Sequence, residues 1–420
     1  MKRTLSACAV VALLVVGASG QGGAPTLQVN PFWPQPLPNH WVFGSITGVT
    51  VDAQDHVWVT HRGADSLEGN EKGMMATPPT STKCCTAAPL VLEFDPEGKL
   101  VSHFGGPGQG YQWPQSPGGI AVDAKGNVWI AAAGVETPPA GRGRGTADPD
   151  AVGPPGGARG ADAGGARGAA PGRGRGPAAP AGPADAHVLK FAKDGKFLLQ
   201  IGTPGKMEGP DSQTTLNRPA AVAVDAAANE VFVADSGNHR IVVFDADSGA
   251  YKRHWGAYGE KPTAAGGGSY DASATPARQF RDVTCVKIAR DGMVYVCDRT
   301  SNRIQVFQKD GKFVKEGFVR KETTGATVGG QFGAVSSFGS AWDVAFSNDA
   351  QQRFLFVADG QDKKVVILQR DTLAPTGSFG SGGRLAGQFL AVGSIASDSR
   401  GNVYTGEQHH GKRVQKWVRR

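Results

Sequence analysis

Val222-Ala223-Val224-Asp225, then Val231-Phe232-Val233-Ala234-Asp235, then Ile241-Val242-Val243-Phe244 are three short apolar runs separated by polar breaks. Runs of this length, rich in β-branched and aromatic residues, predict antiparallel strands joined by tight turns. The same set of three recurs along the chain. It appears at 120–123, 128–130 and 188–191, and again at 286–288, 294–298 and 304–307. Further copies lie at 49–52, 57–59 and 91–94, at 344–346, 355–359 and 365–368, and at 395–398, 403–404 and 414–417. Five of the six copies continue into a fourth strand ending near glycine, as in Lys196-Phe197-Leu198-Leu199-Gln200-Ile201-Gly202. Four strands repeated six times predict an all-β fold, a six-bladed β-propeller with four antiparallel strands per blade. The sixth copy ends at Arg420 before its fourth strand, so a strand from the N-terminal segment 21–42 is expected to close the ring.

Composition agrees with this pattern. The 420 residues include 61 Gly and 27 Pro, whereas charged residues make up only 19%. That load of turn formers argues against a helical bundle. The apolar content, 40%, suffices for a large core and excludes a wholly disordered chain. A formal charge of +7 is small for this length and does not point to nucleic acid as a partner.

The first residues read as a targeting segment. Met1-Lys2-Arg3 is basic, 9–16 is apolar, and Ala18-Ser19-Gly20 is small. Residues 1–20 are therefore expected to be a signal peptide and the protein to be exported, periplasmic or extracellular. The apolar run is too short for a membrane span. Export makes disulfides possible for the four remaining cysteines, Cys84, Cys85, Cys285 and Cys297. Cys285 and Cys297 flank an Asp291-Gly292 turn, which sets them nearly opposite on adjacent strands; a cross-strand disulfide and two buried thiols are the alternatives. Within the span 43–420 assigned to the propeller, one segment breaks the rhythm. Residues 134–186 hold 38 Gly, Ala or Pro and six Arg, too little apolar surface to fold, and are expected to be a disordered insertion in blade two.

Two stretches carry a family resemblance: Ala-Asp-Ser-Gly-Asn-His-Arg-Ile-Val-Val-Phe at 234–244 and Cys-Asp-Arg-Thr-Ser-Asn-Arg-Ile-Gln-Val-Phe at 297–307. Both resemble NHL repeats. The repeat form is similar to that of exported bacterial six-bladed NHL proteins related to peptidyl-α-hydroxyglycine α-amidating lyase. In that lyase three histidines at the openings of first strands hold zinc. The matching positions here are Gly118, Thr284 and Gly393, so the resemblance implies loss of the zinc set, since glycine supplies no donor. The His61-Arg62-Gly63 segment resembles the lyase's own, which makes Arg62 the catalytic candidate, or the one to bind an anionic or carbonyl group; the alternative is an arginine paired to a neighbouring blade's acid. No cofactor is implied, although calcium held by backbone carbonyls on the axis needs no particular side chain.

The ends of the second strands align as His61, Ala132, Asp235, Asp298, Asp359 and Glu407. These positions form either a ligand-binding ring or pairs with Arg240, Arg303, Lys364 and Arg413 on the following strands, and pairing is the expectation. With Arg62, Asp65, Asn70 and Arg299, the polar members of this ring make up the candidate binding set. Two functions fit: a noncatalytic, monomeric propeller binding a protein, peptide or glycan on one face, or a lyase-type enzyme with a rearranged site. Missing zinc histidines favour the first.

Overall fold

A computed structural model describes residues 23–134, 184–323, 328–330, 333–335 and 338–420. The expected signal peptide and most of the 134–186 insertion lie outside these residues. Blade one is Ile46–Val51, Val57–His61, Val91–Phe94 and Leu100–Phe104. Blade two is Pro117–Val122, Val128–Ala132, His187–Phe191 and Phe197–Gly202; blade three is Pro219–Asp225, Glu230–Asp235, Arg240–Asp245 and Tyr251–Trp255. Blade four is Val283–Ile288, Val294–Asp298, Arg303–Phe307 and Phe313–Phe318; blade five is Asp343–Phe346, Phe354–Asp359, Lys364–Gln369 and Pro375–Phe379. Blade six takes Val392–Ser397, Val403–Glu407 and Val414–Arg419 from the C-terminus and Leu27–Asn30 from the N-terminus. Leu27 faces Arg419 and Val29 faces Trp417 in an antiparallel register. The six inner strands touch one another in a closed cycle, blade six meeting blade one. The chain is a six-bladed, all-β propeller.

The hairpins are set by the acids that end the first runs. In blade two the Asp123 carboxylate accepts the backbone N–H groups of Lys125 and Asn127 at 2.9 Å and the Trp129 indole at 3.1 Å. Asp52 and Asp398 do the same in blades one and six. An acceptor at this position satisfies turn donors that water would otherwise have to reach.

The core lies between blades. Trp58 of blade one packs with Val128, Ile130, Leu189 and Phe191 of blade two, all fully buried. Trp129 is in turn buried against Val222, Val231 and Val233 of blade three. Such apolar contacts, about 25 cal/mol per Å² removed from water, hold each blade to the next. Disulfides join Cys285 to Cys297, which face each other in register across the inner and second strands of blade four, and Cys84 to Cys85 in the long loop of blade one. Among the described residues no helix is long and apolar enough to cross a membrane.

Candidate functional site

The ends of the second strands do not form a ligand ring. The Asp235 carboxylate accepts the backbone N–H of Asn217 at 2.7 Å, and Asp298 accepts those of Arg281 and Asp282 at 2.9 and 3.1 Å. Glu407 accepts Leu390 and Ala391 in the same way. Each caps the segment leading into its blade's inner strand. Blade one uses His61, whose Nδ1 accepts the Gly44 N–H at 3.0 Å while Nε2 donates to the Pro89 carbonyl at 2.8 Å. With both ring nitrogens engaged and burial disfavouring its charge, His61 stays neutral, its pKa lowered to about 4. Blade two has Ala132 here, and Asp185 takes over, accepting the N–H groups of Gln115 and Ser116 at 2.9 and 2.8 Å. Asp185 and Ala186 are buried, which corrects the expectation that the whole of 134–186 lies outside the fold. These polar side chains are structural, and His61, Asp235, Asp298 and Glu407 are withdrawn from the ligand surface.

The expected pairs form in three blades. Arg240 Nε donates to Asp235 at 2.8 Å, Arg303 Nε to Asp298 at 3.0 Å, and Arg413 Nε to Glu407. In blades three and six the remaining guanidinium nitrogens reach carbonyls of the preceding connection, such as Pro210, Ser212 and Thr215 for Arg240, whereas in blade four Arg303 Nη1 donates to Tyr258 and Glu316. Blade five departs from this. Asp359 is opposite Lys364 in register, yet no ion pair joins them among the described residues, and Asp359 Oδ2 has no hydrogen-bond partner. The chemical difference is plain: arginine has one nitrogen for the carboxylate and two for the carbonyls, and lysine has one in all. Burial pushes the Asp359 carboxyl up to about 7, with the Asp362 carboxylate adding to the effect, against the Asp362 N–H bond, Arg320 and Lys364.

The axial side chains sit one residue further on. Successive side chains of a strand point to opposite sides, so when the capping residue turns into the blade its neighbour turns to the axis. Arg62, Ala133, Ser236, Arg299 and Gln408 line an axial cavity of about 460 Å³. In blade five this place is Gly360, where the Trp342 ring occupies the space a Cβ would need. Among the described residues, four cations, Arg62, Arg218, Lys287 and Arg299, and two carboxylates, Asp282 and Asp343, line the wall. Arg299 donates to Asp282 at 2.6 Å through Nε, and its guanidinium lies 4.6 Å from the centre of the Trp342 ring. Ser236 donates to the other Asp282 oxygen at 2.9 Å. Burial works against the charge of Asp282, but Arg299, Ser236 and Arg218 outweigh it and hold the carboxyl below its ordinary range. Lys287 lies 3.3 Å from Asp343, whose carboxyl is raised by burial against the pull of Lys287.

Of the candidate residues, Arg62 and Arg299 reach this cavity. Asn70 lines a separate pocket of about 560 Å³ beside Trp41, Phe43 and Lys412, and Asp65 is exposed. The sequence reading missed Arg218, Asp282, Lys287 and Asp343. Their signal was charge on, or just before, an inner strand whose counterparts carry Gly, Ala or Ser. Gly118, Thr284 and Gly393 also face the cavity. Their side chains do not fit a zinc centre of the lyase type: two are hydrogen, and Thr284 Oγ1 donates to the Trp342 carbonyl at 2.8 Å. Nor do the glycines leave open space. A Cβ on Gly118 would come within 2.8 Å of the Ala220 carbonyl, and one on Gly393 within 2.8 Å of the Gln408 side chain.

Residues 216–244 match the family model described as NHL repeat. NHL repeat-containing protein 3 of Mus musculus is 27% identical over 251 residues, which cover 57% of this chain and 60% of the mouse protein. Among solved structures, a streptogramin B lyase aligns with 94% of this chain and 98% of its own at 12% identity and a TM-score of 0.46. A catalytically inactive variant of virginiamycin B lyase from Staphylococcus aureus, solved with quinupristin, aligns with 93% of this chain and 88% of its own at 12% identity and a TM-score of 0.43. The matched NHL repeat at 216–244 coincides with the first three strands of blade three in this six-bladed propeller, together with the residues that lead into them.

Proposed function

We propose that this NHL propeller is an exported, noncatalytic binding protein whose axial cavity takes an anionic group of a protein, peptide or glycan. The observation that carries this reading is the charge of the cavity wall, four cations against two carboxylates. Guanidinium groups offer paired donors suited to a carboxylate, and a walled site strengthens that attraction relative to open solvent. Absence of side-chain nitrogen at Gly118, Thr284 and Gly393 supports binding over zinc-assisted lysis. Export is supported by the basic, then apolar, then small pattern of 1–20 and by the two disulfides.

The test uses one probe with two readouts. A short peptide ending in α-hydroxyglycine, and the same peptide with an amide in place of its carboxylate, are titrated into purified protein with and without added zinc. The carboxylate form should bind at least about tenfold more tightly, the Arg62→Gln/Arg218→Gln variant should lose that preference, and no glyoxylate should appear. Equal binding of the two peptides overturns the anionic reading. Zinc-dependent glyoxylate release overturns the noncatalytic one.

A further inference from the structure

At the rim of blade four, apart from the axial cavity, lies a pocket of about 50 Å³ lined by Tyr270, Asp271, Arg281, Ser301, Arg303 and Lys321, among others. Among the described residues, two of its polar groups have no partner. Arg281 Nε is buried and donates to nothing, and Ser301, 4% exposed, has an Oγ with no hydrogen bond. Buried donors left unpaired cost about 1–3 kcal/mol each, so both point to an acceptor that the described residues do not supply.

The neighbouring charges say what kind of acceptor it is. Arg303 is saturated by the carboxylates of Asp298 and Glu316, the Tyr258 hydroxyl and the carbonyls of Ala277 and Gln279. The Asp271 carboxylate already accepts the Ser273 N–H and hydroxyl at 2.8 and 2.7 Å. Arg281 has the Tyr270 ring 5.2 Å away and one bond, from Nη2 to the Gly267 carbonyl at 3.3 Å. Lys321 lies 5.4 Å from the Phe318 ring, with no ion pair among the described residues. Arg303 is thus neutralised by Asp298 and Glu316 and Asp271 is engaged elsewhere, which leaves Arg281 and Lys321 as two cations with no ion pair among the described residues. Burial disfavours the Arg281 charge, with Arg303 adding to the effect against Asp298 and Tyr270, and holds its pKa below the usual value; a bound anion would relieve this.

We propose that this pocket is a second anion site, built for one compact oxyanion, a carboxylate or a phosphate, held by Arg281 Nε, the Ser301 hydroxyl and Lys321. A volume of about 50 Å³ suits a small group of a few heavy atoms. The site is separate from the axial one in its residues, although the turn Arg299–Ser301 serves both, Arg299 lining the axial cavity and Ser301 this pocket.

Inorganic phosphate and acetate are the probes, in separate arms, with chloride at equal ionic strength as reference. Either should raise the melting temperature of the full protein above the chloride reference, and a structure determined with it should show the anion against Arg281 and Ser301. Ser301→Ala, which removes one oxygen and leaves the fold intact, and Arg281→Gln should each weaken the apparent affinity by at least about tenfold. The pocket variants are compared in the Arg62→Gln/Arg218→Gln background, which takes the axial cavity out of the readout and in which the stabilisation should persist. The proposal is overturned if neither anion stabilises that background beyond chloride, if both pocket variants respond as the background does, or if the pocket holds only water.

Discussion

Asp359 shows how one residue type decides the local balance. The same strand end is served by an arginine in blades three, four and six, and by a lysine that does not reach it in blade five. Its carboxyl has an ordinary value of 3.8 and is raised to about 7 in the fold. Between those values the native state keeps a proton that the unfolded chain has released. Its contribution to stability is therefore full below pH 3.8 and is lost as the pH rises through about 7, by up to about 4 kcal/mol. Asp359→Asn, which stays neutral, should match wild type near pH 4 and melt well above it at pH 8. Melting curves across that range check this, and parallel profiles would refute the assignment. His61 has the opposite sign: its depressed pKa makes its contribution full above 6.5 and lost as the pH falls through about 4.

Among the elements, the insertion of blade two tests how far a blade depends on what interrupts it. Val188 pairs with Ala131 and Leu189 with Ile130, so the two strands on either side already lie side by side. A short link can join them, whatever the length between. Asp185 must stay, because it caps Gln115 and Ser116. Replacing 136–183 with a short Gly-Ser link should leave the melting temperature within about 2 °C of wild type. Asp185→Ala in the full chain should instead cost about 1–3 kcal/mol, as the buried Ser116 N–H and the partly buried Gln115 N–H lose their acceptor. A large loss from the Gly-Ser replacement would show that the excised residues contribute to the core.

At the scale of the molecule, ring closure joins the chain ends. Leu27–Asn30 completes blade six, and Trp33, 4% exposed, packs on Phe94 of blade one and Tyr404 of blade six. Loss of a buried tryptophan costs about 3–5 kcal/mol, and the four-residue ladder adds to it. Deleting 21–42 should therefore lower the melting temperature by roughly 10 °C, at about 2–4 °C per kcal/mol in larger domains. A truncated protein that melts like the full one would mean the ring closes without its N-terminal strand.

The sequence by itself determined the propeller. Strand alternation, Asp-capped turns and the six-fold recurrence are local properties, and each is written within a few residues of the structure it produces. It also carried Arg62, through the resemblance of its His-Arg-Gly segment, and Arg299, which follows a recognisable strand end. The tertiary structure decided which of two adjacent positions faces the axis. His61, Asp235 and Asp298 turn into their blades as caps, and Arg62, Ser236 and Arg299 turn to the cavity, a choice made by pleat and twist that residue type does not record. It alone brought Arg218, Asp282, Lys287 and Asp343 to one wall, since they come from three blades and meet only when the ring closes. It alone left Arg281 Nε and Ser301 Oγ without partners among the described residues: hydrogen-bond satisfaction depends on every neighbour in space, and most of those neighbours are remote in the chain.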